Sequence, residues 1–460
     1  MEEKKEVITN LILTTMSSHS LTEPATGIHR LPPDVLGEIF LQTLNGDTYN
    51  VANIAESPWI LGHICHSWRQ ISLSLPTLWS NMVIAEDFNI DPERLLIKLD
   101  VALRRSGNAP LTFWSFFGPD GVMSDAVDRL AEESSRWRDV VFMLGLSPES
   151  MFPAPLDLSS LECFSLHVAP GYGSVTGTEI PTGILDTAPK LRKVWLSPST
   201  TIHLPRQLEE LNVGPISMQN LLHILSGAPE IRVLRTSVLA GGAISTPLIH
   251  SSLQVLELGL HSAFLSHLKY MTIPSLIHLT FHETLTTDEL NILSSFLCRS
   301  ACQLQFLQFN VRMIHHSDLV NFLSEQYHLA HLEIEPEYGE YDNFGNYIPK
   351  PQKDSMAPFF QALSSLLPML ENLVVLPRNS ACDLRDVIVM LQRRNETVAT
   401  RLRHFTLQLY MSDLESEPEC IPKLWAFVDE GLDLRISGCS LVNEVAFEFG
   451  NNTQSSDGSI

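Results

Sequence analysis

Residues 189–196 read PKLRKVWL, and the same loose phrase, Pro-x-Leu-x-x-Leu-x-Leu, returns as PEIRVLRT at 229–236, PSLIHLTF at 274–281 and PMLENLVV at 368–375. Copies without the proline start at Leu161 (LECFSL), Leu208 (LEELNV), Leu253 (LQVLEL), Leu304 (LQFLQF), Leu329 (LAHLEI) and Leu402 (LRHFTL). From Leu191 to Leu329 the starts lie 17, 23, 22, 23, 28 and 25 residues apart. Self-similarity at such a period marks stacked units, none of which buries its apolar face alone. Between copies lie helical stretches such as ISMQNLLHILSGA (216–228) and TTDELNILSSFLCRS (286–300), the latter opened by a capping box from Thr286 to Glu289. Strand then helix, repeated, predicts an α/β solenoid with a curved parallel sheet over residues 110–449, its strands including Leu191–Leu196, Leu208–Val213 and Leu276–Phe281.

Successive strand side chains point to opposite faces, so the leucines turn inward and the residues between and after them form a ladder on the concave face. That ladder includes His167, Trp195, Asn212, Arg235, Glu257, His278, Thr280, His282, Gln308, His331, Glu333 and His404. Solenoids bind partners along such a surface, which makes these the candidate substrate-binding residues. The phrase resembles an irregular leucine-rich repeat, in which the Asn/Cys rung after the leucines is missing from most copies. One interruption follows Ile334, where EPEYGEYDNFGNYIPKPQKDS (335–355) reads as a long loop. Long loops inside compact arrays are either disordered or functional.

Upstream, LPPDVLGEIFLQTL (31–44) places Val35, Leu36, Ile39, Phe40 and Leu44 at helical spacing, with Pro33 suited to a first turn. After a polar loop, NGDTYN, the stretch SPWILGHICHSWRQISLSLPTLW (57–79) puts Leu61, Ile64, Cys65, Trp68, Ile71 and Leu75 on a second stripe. Residues 28–82 therefore read as a compact three-helix unit, too small to bury much surface by itself and holding Trp59, Trp68 and Trp79 of the chain's 7 tryptophans. The ordered combination of LP, the apolar stripe, CxxWR and LW resembles the F-box of a large family of mushroom-type fungal proteins. That resemblance implies binding to a Skp-type linker protein and, through it, to a cullin. Leu31, Pro32, Val35, Leu36, Ile39 and Phe40 match the first-helix positions, and Leu61, Ile64, Cys65, Trp68 and Trp79 match the later ones. Residues 1–27 and 450–460 read as disordered ends, and 83–109 as a helical connector packed on the solenoid.

The resemblance implies a substrate-recruiting adaptor of a Skp-cullin-F-box type ubiquitin ligase, with an unidentified protein substrate. The rival reading is a non-catalytic repeat scaffold acting outside any ligase. A net charge of -23, from 53 acidic and 30 basic residues, opposes nucleic-acid binding, which depends on Lys and Arg displacing counterions. Seven scattered cysteines form no paired CxxC motifs, so a reducing compartment, cytosol or nucleus, is expected. No apolar run reaches the length of a membrane span. His63, Cys65 and His66 lack a second ligand pair, and no metal or other cofactor is expected. With no GxSxG, P-loop, HExxH or dinucleotide turn, the chain is expected to have no catalytic site of its own.

Overall fold

A computed structural model describes residues 31–44, 48–85, 91–117, 123–144, 156–168, 184–197, 204–239, 247–260, 262–312, 315–337, 340–341, 347–348, 356–377, 382–397, 401–410, 418–439 and 444–449. The expected disordered ends, 1–27 and 450–460, lie outside these residues, as does most of the expected loop 335–355. The chain divides into two compact units, Met1–Gly214 and Pro215–Ile460.

In the first unit the N-terminal stretch forms the helix Pro33–Gln42, a short helical turn Leu61–Ile64, the helix His66–Ser74 and the 3-10 turn Pro76–Trp79. The second stripe breaks at Cys65, whose backbone is extended and whose Sγ accepts the Trp68 N–H at 3.5 Å, capping the new helix. Pro76, which has no N–H to give, marks its end. Phe40 packs on Trp68 with ring centroids 4.9 Å apart, and the Trp79 indole donates to the Ser72 carbonyl at 2.8 Å.

The sheet begins earlier than residue 110. β1 (Tyr49–Asn50), within the stretch read as a polar loop, pairs in parallel with β2 (Asn81–Ala85), Tyr49 opposite Met82. β2 crosses the expected boundary at residue 82 and pairs in turn with β3 (Leu111–Phe117). Two residues are too few for alternation to register in a sequence, and Tyr49 is held instead by burial and by donating its hydroxyl to the Trp79 carbonyl at 3.2 Å. The expected connector 83–109 holds the end of β2 and the helix Pro92–Arg105. That helix clamps the N-terminal module: the Arg105 guanidinium lies 4.4 Å from the Trp79 ring and 5.2 Å from Trp59, while Lys98 donates to the Ala52 carbonyl at 2.6 Å.

From β3 the ladder runs through β4 (Trp137–Leu144), β5 (Cys163–Val168), β6 (Lys193–Ser197) and β7 (Glu210–Ser217), each parallel to the strand before it. In the second unit β8 (Val233–Leu239), β10 (Val255–Leu260), β12 (His278–Leu285), β13 (Phe306–Arg312), β14 (His331–Glu337), β17 (Asn372–Val375), β18 (His404–Tyr410) and β19 (Asp433–Cys439) do the same, and β20 (Glu444–Phe449) adds antiparallel to β19. The short β9 (Leu248–Ile249) and β11 (Met271–Thr272) pair beside this ladder. Inside the expected loop, β15 (Glu340–Tyr341) and β16 (Tyr347–Ile348) form an antiparallel pair. Within each unit strand order follows chain order and never reverses, unlike a doubly wound sheet with its switch point.

The repeat starts are buried leucines: Leu191, Leu208, Leu253, Leu276 and Leu329. Strands begin two residues later than expected, at Lys193, Glu210 and His278, because the leucine closes the preceding turn; the Leu191 and Leu208 N–H groups donate to the Ala188 and Pro205 carbonyls, each at 3.2 Å. The spacings survive this offset. Val233, Val255, His278, Phe306 and His331 are lateral partners, and their separations of 22, 23, 28 and 25 residues are those read from the leucines. The capping box from Thr286 to Glu289 opens the helix Thr287–Ser300 as expected.

Arg394, in the helix Leu384–Thr397, is buried and donates to the carbonyls of Leu363, Leu366 and Leu367 at 2.7, 2.7 and 3.0 Å. It ends the helix Ala357–Leu363 from outside, where the last carbonyls have no partner within the helix. Burial lowers its pKa to about 10, and the planar fork reaches carbonyls that a lysine ammonium cannot span. Arg394→Met is expected to destabilise the second unit by about 3 kcal/mol, since charge-assisted bonds are lost and buried acceptors stranded; urea denaturation checks it.

Candidate functional site

The candidate linker-binding residues divide by burial. Leu36, Phe40, Leu61, Trp68 and Trp79 are interior and make the module's own core. Ile39, Ile64 and Cys65 are half-buried, and Pro32 is exposed. Leu31 and Val35 stand in solvent at 36 % and 43 % exposure. The exposed set lies at the start of the helix Pro33–Gln42 and just before it, while Leu36 and Phe40, one turn apart, face inward.

The outward sheet face in the second unit carries most of the expected ladder. Arg235 pairs with Glu257 at 2.9 Å, and Glu257 lies 4.0 Å from His278 Nε2. The same nitrogen is 3.2 Å from Thr280 Oγ1, which lies 3.5 Å from Gln308 Oε1. Gln308 Nε2 then donates to Glu333 at 2.9 Å. One continuous polar row thus spans five strands, from β8 to β14. A parallel row beside it stacks His278 on Phe306 (centroids 3.8 Å, 6° between planes) and Phe306 on His331 (4.3 Å, 19°).

His282 is exposed. His404 is exposed as well and joins Asp433 at 2.9 Å, with Arg435 3.3 Å from the same carboxylate; the hydrogen bond from His404 leads the causes that hold the Asp433 carboxyl below its ordinary range. Thr280 departs from expectation. At 2 % exposure it is covered by its larger lateral neighbours, Glu257 and Gln308, so it supports the row and offers no open surface.

In the first unit His167 is half-buried, Asn212 is exposed and lies opposite Trp195, and Trp195 itself is 39 % exposed. Alongside them the structure exposes Trp114, Phe116 and Met143, which the sequence reading passed over, as it did Phe306. Alternation was the available signal: LTFWSFF (111–117) buries Leu111 and Phe113 and turns Trp114 and Phe116 outward.

No family model matches the chain, and no curated protein matches it. Its own geometry therefore carries the reading. Among the described residues no cluster of three His, Cys, Asp or Glu could hold a metal ion, and no helix is long and apolar enough to cross a membrane.

Burial holds the imidazoles of His250, His278 and His331 below their ordinary pKa of 6.5; the Ala228 carbonyl partly offsets this for His250, as the Glu257 carboxylate does for His278. Each takes up its proton at higher pH in the unfolded chain than in the folded one. Their contribution to stability is complete above 6.5 and falls as pH drops through that value toward the lower folded values. Glu333 acts oppositely, because burial and then the neighbouring Glu335 raise its carboxyl above the ordinary 4.5, but that window lies lower. Thermal melts at about pH 7.5 and about pH 5.5 should show a lower Tm at the acidic value. Replacing His250, His278 and His331 with Gln should shrink that difference.

Proposed function

We propose that this chain is a substrate-recruiting adaptor of a Skp-cullin-F-box type ubiquitin ligase: the N-terminal module binds a Skp-type linker, and a leucine-rich-repeat-like array binds a protein substrate. One observation carries the first half. Around one short helix Leu36 and Phe40 are buried and Ile39 and Leu41 half-buried, whereas Val35 in its first turn and Leu31 and Pro32 just before it are exposed. An isolated helical module has no use for the exposed residues, whereas a partner desolvates them. The order LP, CxxWR, LW around that helix is the sequence feature on which the resemblance to F-boxes rests. The second half is supported by ladders whose strands follow one another in chain order, with polar and aromatic residues in lateral rows on the outward face, as in arrays that bind partners along a sheet.

The test is affinity capture of the tagged full chain from cells, with and without proteasome inhibition. Recovery of a linker and a cullin, with further proteins accumulating when the proteasome is blocked, is the expected result. Capture of partners without any cullin would replace this reading with the scaffold.

A further inference from the structure

We propose that the outward sheet face of the first unit, over Trp114, Phe116, Met143 and Trp195, docks a protein segment in which an aromatic or aliphatic anchor is followed by lysine or arginine. The proposal rests on the adaptor reading only in supposing that a partner protein exists.

The four side chains are 46 %, 38 %, 39 % and 39 % exposed, and they are not scattered. Strand register sets Trp114 in one row with Val141, Ser165 and Trp195, and Phe116 in the next with Met143 and His167. A contiguous apolar surface of this kind marks an interaction site. It also has relief. β5 turns only Cys163, Ser165 and His167 outward, and Ser165 is small and buried. In its row Ser165 lies between Val141 on β4 and Trp195 on β6, and Met143 stands in the next row, opposite His167.

Charge selects the occupant. The row at the start of these strands holds Asp139, Cys163, Lys193 and Glu210. Lys193 is committed to Glu210 at 3.4 Å, whereas Asp139 and the adjacent exposed Glu162 form no ion pair among the described residues. Burial first, then Asp139, push the Cys163 thiol up to about 11, with Glu162 and Glu210 adding and Lys193 opposing. Burial also holds the Asp139 carboxyl above its ordinary range, against Arg138 and Lys193. An exposed apolar face bordered by carboxylates with no ion pair among the described residues complements an anchor followed by a cation. A second copy of this chain, carrying the same net charge of -23, brings like charge to it, and nucleic acid brings phosphate.

A phage-displayed random peptide library, selected on the full chain, supplies the probes. Enriched sequences are resynthesised and titrated by fluorescence polarisation against wild type, W114S/W195S and D139N/E162Q, with thermal melts of each variant. The expected result is recurrent Phe, Trp or Leu within a few residues of Lys or Arg. Affinity should fall about tenfold or more on W114S/W195S and about threefold or more on D139N/E162Q, and should weaken with salt. Enrichment of acidic or cation-free sequences, equal binding to both variants, or no enrichment would overturn it. Should W114S/W195S fail to fold, D139N/E162Q decides alone, because it removes charge without removing packing. Linker binding by the same preparations is measured in parallel. Its absence with peptide binding intact would sink the adaptor reading and leave the docking face; the reverse would sink the docking face only.

Discussion

Phe40→Ala is expected to destabilise the first unit by about 3–5 kcal/mol, the range for truncating a fully buried aromatic. Phe40 is 0 % exposed and closes on Trp68 at 4.9 Å, so the cavity opens at the one aromatic contact joining the first helix to the helix His66–Ser74. Little else competes for the space, since the module is short and its remaining aromatics, Tyr49, Trp59 and Trp79, are engaged with one another and with Arg105. A loss of this size is a large part of the stability of an ordinary domain, and it separates two roles that a helical stripe alone confounds. Linker binding lost in Phe40→Ala would follow from unfolding and would say nothing of contact. Urea denaturation followed by tryptophan fluorescence checks it, Trp68 and Trp79 reporting on the affected core.

The exposed pair should behave in the opposite way. Leu31→Asp with Val35→Asp changes side chains that already stand in solvent. They lie at a helix start whose N-cap Pro32 makes no side-chain bond to lose and where carboxylates are favoured, so stability should shift by less than about 0.5 kcal/mol. A partner must then bury two carboxylates where it expects apolar anchors. Truncating an interface anchor costs about 2 kcal/mol or more, and roughly 1.4 kcal/mol is tenfold in affinity. Losing both should therefore weaken linker binding by more than about a hundredfold while the melting temperature stays near that of wild type.

The contrast between Phe40 and Val35 shows how far the sequence could be read. The 3.6-residue stripe placed both on one helix, but which side of it meets the core is settled by where Trp68 and Leu61 arrive, and that is a tertiary fact. The repeat was more legible, because every copy carries its own buried leucine and the period survives any local error in strand ends. Thr280 was misplaced for a related reason: alternation sends it outward correctly, but Glu257 and Gln308 cover it from neighbouring strands, and lateral neighbours appear only once register is fixed. β1 is two residues long, below what any periodicity reports. Arg394 looks like a surface cation in a helix until the carbonyls it satisfies arrive from residues 363–367. Trp114 and Phe116 could have been found, since they occupy the outward phase that identified Trp195.

Isothermal titration of a purified Skp-type linker into the purified full chain tests the central claim most directly. The account predicts a one-to-one complex with wild type, a loss of more than about a hundredfold with the folded Leu31→Asp, Val35→Asp variant, and full affinity with W114S/W195S. No heat of binding with the wild-type chain, or equal affinity in the Leu31 and Val35 variant, would contradict it.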